Sequence, residues 1–146
     1  MPLTILVADD DLQYRDIVRY ILAAASDTVT IVAEAEDGEE ALALARREGP
    51  DLGITDLVMP RLNGVVELTR RIREERPQTK VILMSSYTED AYRLMASDSG
   101  ADAFVSKQVI TTTLLPAIRD LMRRRFSGGS GPLPPAIGGS SASARQ

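Results

Sequence analysis

The chain has 146 residues, 44% of them hydrophobic, which suits one domain with a core and argues against a chain disordered throughout. It has no cysteine and no histidine, which excludes disulfides, thiol chemistry, imidazole catalysis and zinc sites of the usual kind. With neither residue present, any phosphoryl chemistry must run on Asp, Glu, Ser, Thr or Lys, and a net charge of −4 makes the chain a poor general polyanion binder.

Leu3 to Ala8 is a short apolar run closed by Asp9-Asp10-Asp11, the pattern of a strand buried on both faces. Tyr14, Ile17, Val18, Ile21, Leu22 and Ala25 then recur at helical spacing, with Asp11 placed as the cap. Val29 to Ala35 is the second strand. Gly38 to Glu48 is the second helix, with Ala41, Leu42 and Ala45 inward and Gly49-Pro50 as its stop. Leu52 to Thr55 is the third strand and delivers Asp56 to its carboxyl end. Met59-Pro60 then ends any sheet ladder, and Asn63-Gly64 turns the chain into the next helix.

Val65, Leu68 and Ile72 mark the third helix, with Pro77 just past its end. Lys80 to Met84 is the fourth strand, followed by Ser85-Ser86. Glu89 to Asp98 is a short fourth helix carrying Ala91, Leu94 and Met95 on one side. Ala103 to Ser106 is the fifth strand, ending at Lys107. Leu114, Leu115, Ile118, Leu121 and Met122 mark the last helix, with Pro116 expected in its first turn, where a missing N–H costs little. The run Arg123-Arg124-Arg125 suits a helix C-terminus, where the dipole favours cations. From 127 to 146 the chain is mostly Gly, Ser, Pro and Ala and is expected to be a disordered tail, leaving one domain over 1–126.

Strands alternating with helices through short crossovers predict an α/β fold with a parallel, doubly wound sheet. In a five-stranded sheet of order 2-1-3-4-5, the flavodoxin-like (βα)5 arrangement, the first and third strands are neighbours at the switch point. Asp9, Asp10 and Asp56 would then meet, with Ser85 and Lys107 on one flank. Three carboxylates at one point repel, and each has its pKa raised unless a cation sits among them. A hard divalent ion with oxygen ligands answers that need, and Mg²⁺ is the usual choice beside a phosphoryl group. Lys107 could pair with Asp56 or with a phosphoryl oxygen, and the Ser85 hydroxyl could donate to another.

The acidic pair Asp9-Asp10, Asp56 in Asp-Leu-Val-Met-Pro with Asn63-Gly64 behind it, Ser85-Ser86 and Lys107 stand in a telling order. With that set, residues 3–125 resemble the receiver domain of bacterial two-component response regulators, the fold of the chemotaxis receivers. The resemblance implies a cytoplasmic signalling switch rather than an enzyme. Asp56 would be the phosphoacceptor, supplied by a sensor histidine kinase, a phosphotransfer protein or a small acyl phosphate. Asp10 and Asp56 would bind Mg²⁺ directly with the backbone carbonyl of Val58, and Asp9 through water. Lys107 would contact the phosphoryl group, Ser85 would swing toward it, and Phe104 would turn inward as Ser85 moves. The output would be the surface of the fourth helix, fifth strand and fifth helix, through a partner or a homodimer.

Three positions depart from the family pattern. Gln108 replaces the usual proline after the lysine, which implies a looser or differently shaped loop. Phe104 replaces the commoner tyrosine, so a signal through it is steric. Val58 offers no polar side chain to orient a hydrolytic water. The competing expectation is a Mg²⁺-dependent phosphohydrolase of the haloacid dehalogenase type, with Asp9 as nucleophile and Asp9-Asp10-Asp11 as its Asp-x-Asp. A third is a receiver-like binding module that is never phosphorylated. No membrane helix, signal peptide or DNA-binding element is expected in the chain, although its arrangement is similar to receivers that precede DNA-binding domains.

Overall fold

A computed structural model describes residues 2–58, 65–86, 94 and 97–127, with the side chains of residues 65 and 124–127 left aside. Five strands, β1 (Leu3–Ala8), β2 (Val29–Ala35), β3 (Leu52–Asp56), β4 (Lys80–Ser85) and β5 (Ala103–Ser106), form one parallel sheet. Their order is β2-β1-β3-β4-β5, the doubly wound order expected from the sequence. Three helices, α1 (Leu12–Ala23), α2 (Gly38–Glu48) and α3 (Val65–Glu75), lie between strands, and a C-terminal helix (Ile110–Ser127) follows β5. The turn expected at Met59-Pro60 and Asn63-Gly64 lies outside the described residues. So does most of the helix expected over Glu89 to Asp98, of which positions 94, 97 and 98 are described and helical.

The period of two in a strand sends alternate residues to opposite faces. Leu3, Ile5 and Val7 of β1, Leu52 and Ile54 of β3, and Ile82 and Met84 of β4 pack under α1 and the C-terminal helix. Leu6 and Ala8, with Val81, Leu83 and Phe104, pack under α2 and α3 against Ala41, Leu42, Leu68 and Ile72. Every residue of β3 is buried, and β4 is open only at Lys80. This is why the sequence reads as continuous apolar runs instead of an alternating pattern.

One irregularity shapes the edge of the sheet. Ile5 pairs with Ile31, but Leu6 pairs with Ala33, so Val32 is skipped. The bulge turns Ala33 toward the α2 face and brings Glu34 opposite Val7, on the α1 face. There Glu34 accepts from Arg15 at 3.2 Å and from Arg19 at 2.6 and 2.7 Å.

The helix ends follow from local chemistry. Asp11 caps α1, its carboxylate accepting from the N–H of Gln13 at 2.9 Å. Asp37 caps α2 in the same way through Glu40, and Gly49 closes it with φ of +54°, a left-handed conformation that favours glycine. Pro116 is not in a first turn. The C-terminal helix begins at Ile110, so the proline lies inside it. Positions 109–113 are β-branched, which conceals the opening turn in the sequence. The buried Ile110 extends the apolar stripe four residues back from Leu114, and the Thr112 and Thr113 hydroxyls bond to the Val109 carbonyl. The helix reaches Ser127, one residue into the expected tail; 128–146 lie outside the described residues. Among the described residues no helix is long and apolar enough to cross a membrane.

Thr69 of α3 is 0% exposed, and its hydroxyl oxygen meets no hydrogen-bond partner among the described residues. A buried unpaired hydroxyl costs free energy that an isosteric methyl does not. Thr69→Val is expected to stabilise the fold by about 1 kcal/mol, read from the urea midpoint. A midpoint that stays put or drops would contradict this.

Candidate functional site

The candidate side chains stand where three strands of the sheet, β1, β3 and β5, stop. Asp9 follows β1, its N–H still bonded to Ala35 of β2 at 3.0 Å, so the ladder carries one residue past the strand. Asp56 closes β3, and the Leu57 N–H bonds to the Met84 carbonyl at 2.7 Å. Lys107 follows β5 and opens a short 3₁₀ turn, Lys107–Val109, that runs into the C-terminal helix. Strand alternation, continued one residue past β1 and β5, points Asp9, Asp56 and Lys107 to the same face as Val7, Ile54 and Val105.

There the three meet. The Lys107 ammonium lies 2.8 Å from Asp9 Oδ2 and 3.3 Å from Asp56 Oδ1, with only 6% of the lysine side chain exposed. Asp9 is 0% exposed and Asp56 is buried, while Asp10 is open to solvent. One oxygen each from Asp9, Asp10 and Asp56 lie within 4.8 Å of one another. They line a cleft of about 260 Å³ together with Asp11, Val58, Ser86 and Lys107.

The buried surroundings shift the titration of Asp56. Burial raises the Asp56 carboxyl first and the charge of Asp9 adds to it. Lys107 and a hydrogen bond from the Val58 backbone oppose them, and the result is a pKa of about 6. For Lys107, burial alone would lower the ammonium; Asp9 and Asp56 outweigh it and hold it above the ordinary lysine value. Asp9 Oδ2 is buried and, among the described residues, receives no hydrogen bond of good geometry beside its ion pair with Lys107. One ammonium therefore faces three carboxylates. Hard oxygen donors, a raised carboxyl pKa and an open cleft fit a small divalent cation of the Mg²⁺ kind.

Of the other expected site residues, Ser85 is buried at the end of β4, in register with Ser106, and it is Ser86 that lines the cleft. Phe104 is 4% exposed and packs with Leu83, so it already occupies an inward position. Gln108 lies in the short 3₁₀ turn that follows β5. Its N–H donates to Ser106 Oγ at 3.2 Å, a bond a proline has no hydrogen to make. Asp11 is chiefly the α1 cap, although it borders the cleft.

Two neighbours escaped the sequence reading. Arg15, held by Glu34, donates to the Asp9 carbonyl at 2.6 Å and so fixes the acidic loop to the sheet edge. Tyr14 places its ring 4.1 Å from the Lys107 ammonium. In the sequence both residues read as ordinary positions of an amphipathic helix, and their partners lie on other strands.

The family model described as "Response regulator receiver domain" matches residues 5–119. The chain is 34% identical over 119 residues to the response regulator protein VraR of Staphylococcus saprophyticus, covering 82% of this chain and 56% of that protein. It is 34% identical over 137 residues to the response regulator MprA of a Mycobacterium species, covering 94% and 57%. The chain thus spans little more than half the length of these curated relatives. Among solved structures, the signal receiver domain of a response regulator NarL from Mycobacterium tuberculosis superposes with a TM-score of 0.76 at 30% identity, covering 84% of this chain and 97% of that one. A CheY-like receiver domain protein from Methanospirillum hungatei gives 0.77 at 26%, covering 88% and 100%.

The raised Asp56 pKa has a definite sign. A carboxyl that titrates near 6 when folded and near 3.9 when unfolded binds protons more tightly in the native state. Stability from this group therefore falls as pH rises through that window, and the cost is complete above about 6. Asp56→Asn is expected to raise stability at pH 8 by roughly 1–3 kcal/mol, with the gain shrinking as pH is lowered through 6 toward 4. Urea melts at pH 8 and pH 5 check it; a variant equally or less stable than wild type at pH 8 would contradict it.

Proposed function

The chain belongs to the response regulator receiver domain family, and from that membership we propose that it works as a phosphoacceptor switch with Asp56 as the acceptor. The observation that carries the reading is the Lys107 ammonium held 2.8 Å from Asp9 and 3.3 Å from Asp56 at a cleft ringed by acids. With a pKa of about 6, Asp56 is mostly ionised near neutral pH and so is ready to act as a nucleophile. A carboxylate oxygen attacks the phosphorus of a phosphohistidine on a sensor kinase or phosphotransfer protein, or of a small acyl phosphate. A P–O bond to Asp56 forms, the bond to the donor nitrogen or oxygen breaks, and that atom leaves with its electron pair.

Asp10 and Asp56, with the Val58 carbonyl, would hold Mg²⁺, and Asp9, already engaged by Lys107, would act through water. When bound, the ion supplies the positive charge that lets a phosphoryl dianion approach three carboxylates. Lys107 then meets the new oxygens where it stands, exchanging a carboxylate partner for a phosphoryl one. The added charge of about −1.5 to −2 gives a local event able to bias a two-state element. Ser85 and Phe104 would carry that bias to a surface formed by the segment 89–98, β5 and the C-terminal helix, which acts on a partner or a second copy. The kinase reading places the chain in the cytoplasm of a bacterium. A hydrolase built on Asp9 draws no support from the geometry, because Asp9 is fully buried and Asp56 would be left without a role.

Incubation with acetyl phosphate and Mg²⁺, followed by intact-mass spectrometry, is expected to show one phosphoryl adduct on wild type. The adduct is absent from Asp56→Asn and from chelator-treated samples; persistence in Asp56→Asn would overturn the assignment. Val58 is 50% exposed beside Asp56 and offers only methyl groups to an incoming water. Val58→Asn is accordingly expected to shorten the lifetime of the adduct at least about threefold, by giving that water a hydrogen-bond partner. An unchanged decay rate would show that this position does not govern hydrolysis.

A further inference from the structure

The cleft accounts for the carboxylate side of Lys107 but not for its other side. Tyr14 is half-buried in the first turn and a half of α1 and packs against the core on that face of the sheet. Its ring centroid lies 4.1 Å from Lys107 Nζ, and its hydroxyl reaches the Lys107 carbonyl at 3.4 Å, the long limit of a hydrogen bond. The lysine side chain is nearly closed to solvent, so water does not weaken the attraction between ammonium and ring face. Asp9 and Asp56 draw the ammonium from in front, and the aromatic face meets it from the side.

We propose that Tyr14 is a positioning residue for the acceptor reaction: its ring face holds the Lys107 ammonium where it meets the incoming phosphoryl group. The inference rests on the phosphoacceptor reading of Asp56 and adds a residue on α1 to it. The physical logic is one of alternatives. A flexible lysine stem facing two carboxylates would collapse onto whichever is nearer, and each phosphorylation would then begin by breaking that pair. A neutral ring offers the cation a partner that no phosphoryl oxygen displaces, so Lys107 keeps its place while its anionic partner changes. The ring is the agent. The hydroxyl bond, at its length, is secondary.

The chain has only two lysines, Lys80 and Lys107, which makes the geometry directly readable. In protein labelled with ¹³C-lysine, and assigned with Lys80→Arg, the ε-methylene protons of Lys107 are expected upfield of those of Lys80 because they lie over an aromatic face. The shift persists in Tyr14→Phe and disappears in Tyr14→Leu. The rate of adduct formation at saturating acetyl phosphate is expected to fall about tenfold in Tyr14→Leu, with the half-saturating concentration unchanged, and to stay within about twofold of wild type in Tyr14→Phe. Phenylalanines of increasing ring fluorination at position 14 preserve the packing while weakening the ring face. A stepwise loss of rate across that series supports the ring, and a flat series overturns it. Equal losses in Tyr14→Phe and Tyr14→Leu would assign the effect to the hydroxyl and also overturn it. A wild type that takes no phosphoryl group on Asp56 would defeat the acceptor reading before any variant is compared. The lysine spectrum still decides the hold of the ring, and a Lys107 signal without an upfield shift overturns it.

Discussion

One ammonium among three carboxylates is the constraint on which the rest of the structure depends. Asp9 and Asp56 are buried close together, an arrangement that costs free energy without nearby positive charge. Lys107 supplies part of it, yet Asp56 still titrates well above an ordinary aspartate. The site therefore carries an unmet demand for positive charge. A buried group in that condition is a cost to the fold, and such costs are tolerated where they serve chemistry.

The sheet makes this arrangement possible through its period of two. Asp9, Asp56 and Lys107 belong to three different strands, yet each falls on the residue parity that faces α1 and the C-terminal helix. A slip of one residue in any of the three would send its charge to the α2 face, among Leu6, Leu83 and Phe104. Register is secured where it matters by full burial of β3 on both sides. At the edge, where burial is weaker, a different device operates. The bulge at Val32 turns Glu34 toward α1, Glu34 holds Arg15, and Arg15 grips the Asp9 carbonyl. An irregular edge strand thus steadies the acidic loop on the strand next to Asp56.

The positions that depart from the family pattern have physical replacements. Gln108 contributes a backbone N–H to Ser106, and the 3₁₀ turn that results delivers Lys107 directly into the C-terminal helix. That turn also explains why the helix starts early enough to enclose Pro116. Phe104 sits in the core opposite Leu83, a packed aromatic ring with no hydroxyl to satisfy.

By itself the sequence determined the five strands and their parallel direction, because short helical crossovers between apolar runs leave few other ways to pair. It determined that Asp56 and Lys107 end strands, since a charged residue after a buried run has nowhere else to go. It also marked the Asp11 cap and the Gly49 stop, both local effects of one or two residues. It did not show the opening turn at Ile110, where β-branched residues mask a helix that tertiary packing stabilises. Only the tertiary structure decided which carboxylate Lys107 approaches most closely, that Ser86 and not Ser85 borders the cleft, and that Phe104 is already inward. It alone joined Tyr14 to Lys107 and Arg15 to Asp9 and Glu34. The reason is physical. Strand ends and caps are fixed by neighbours along the chain, whereas a cation over a ring 93 positions away in sequence, or a side chain flipped by a bulge, depends on how separate elements come to rest against one another.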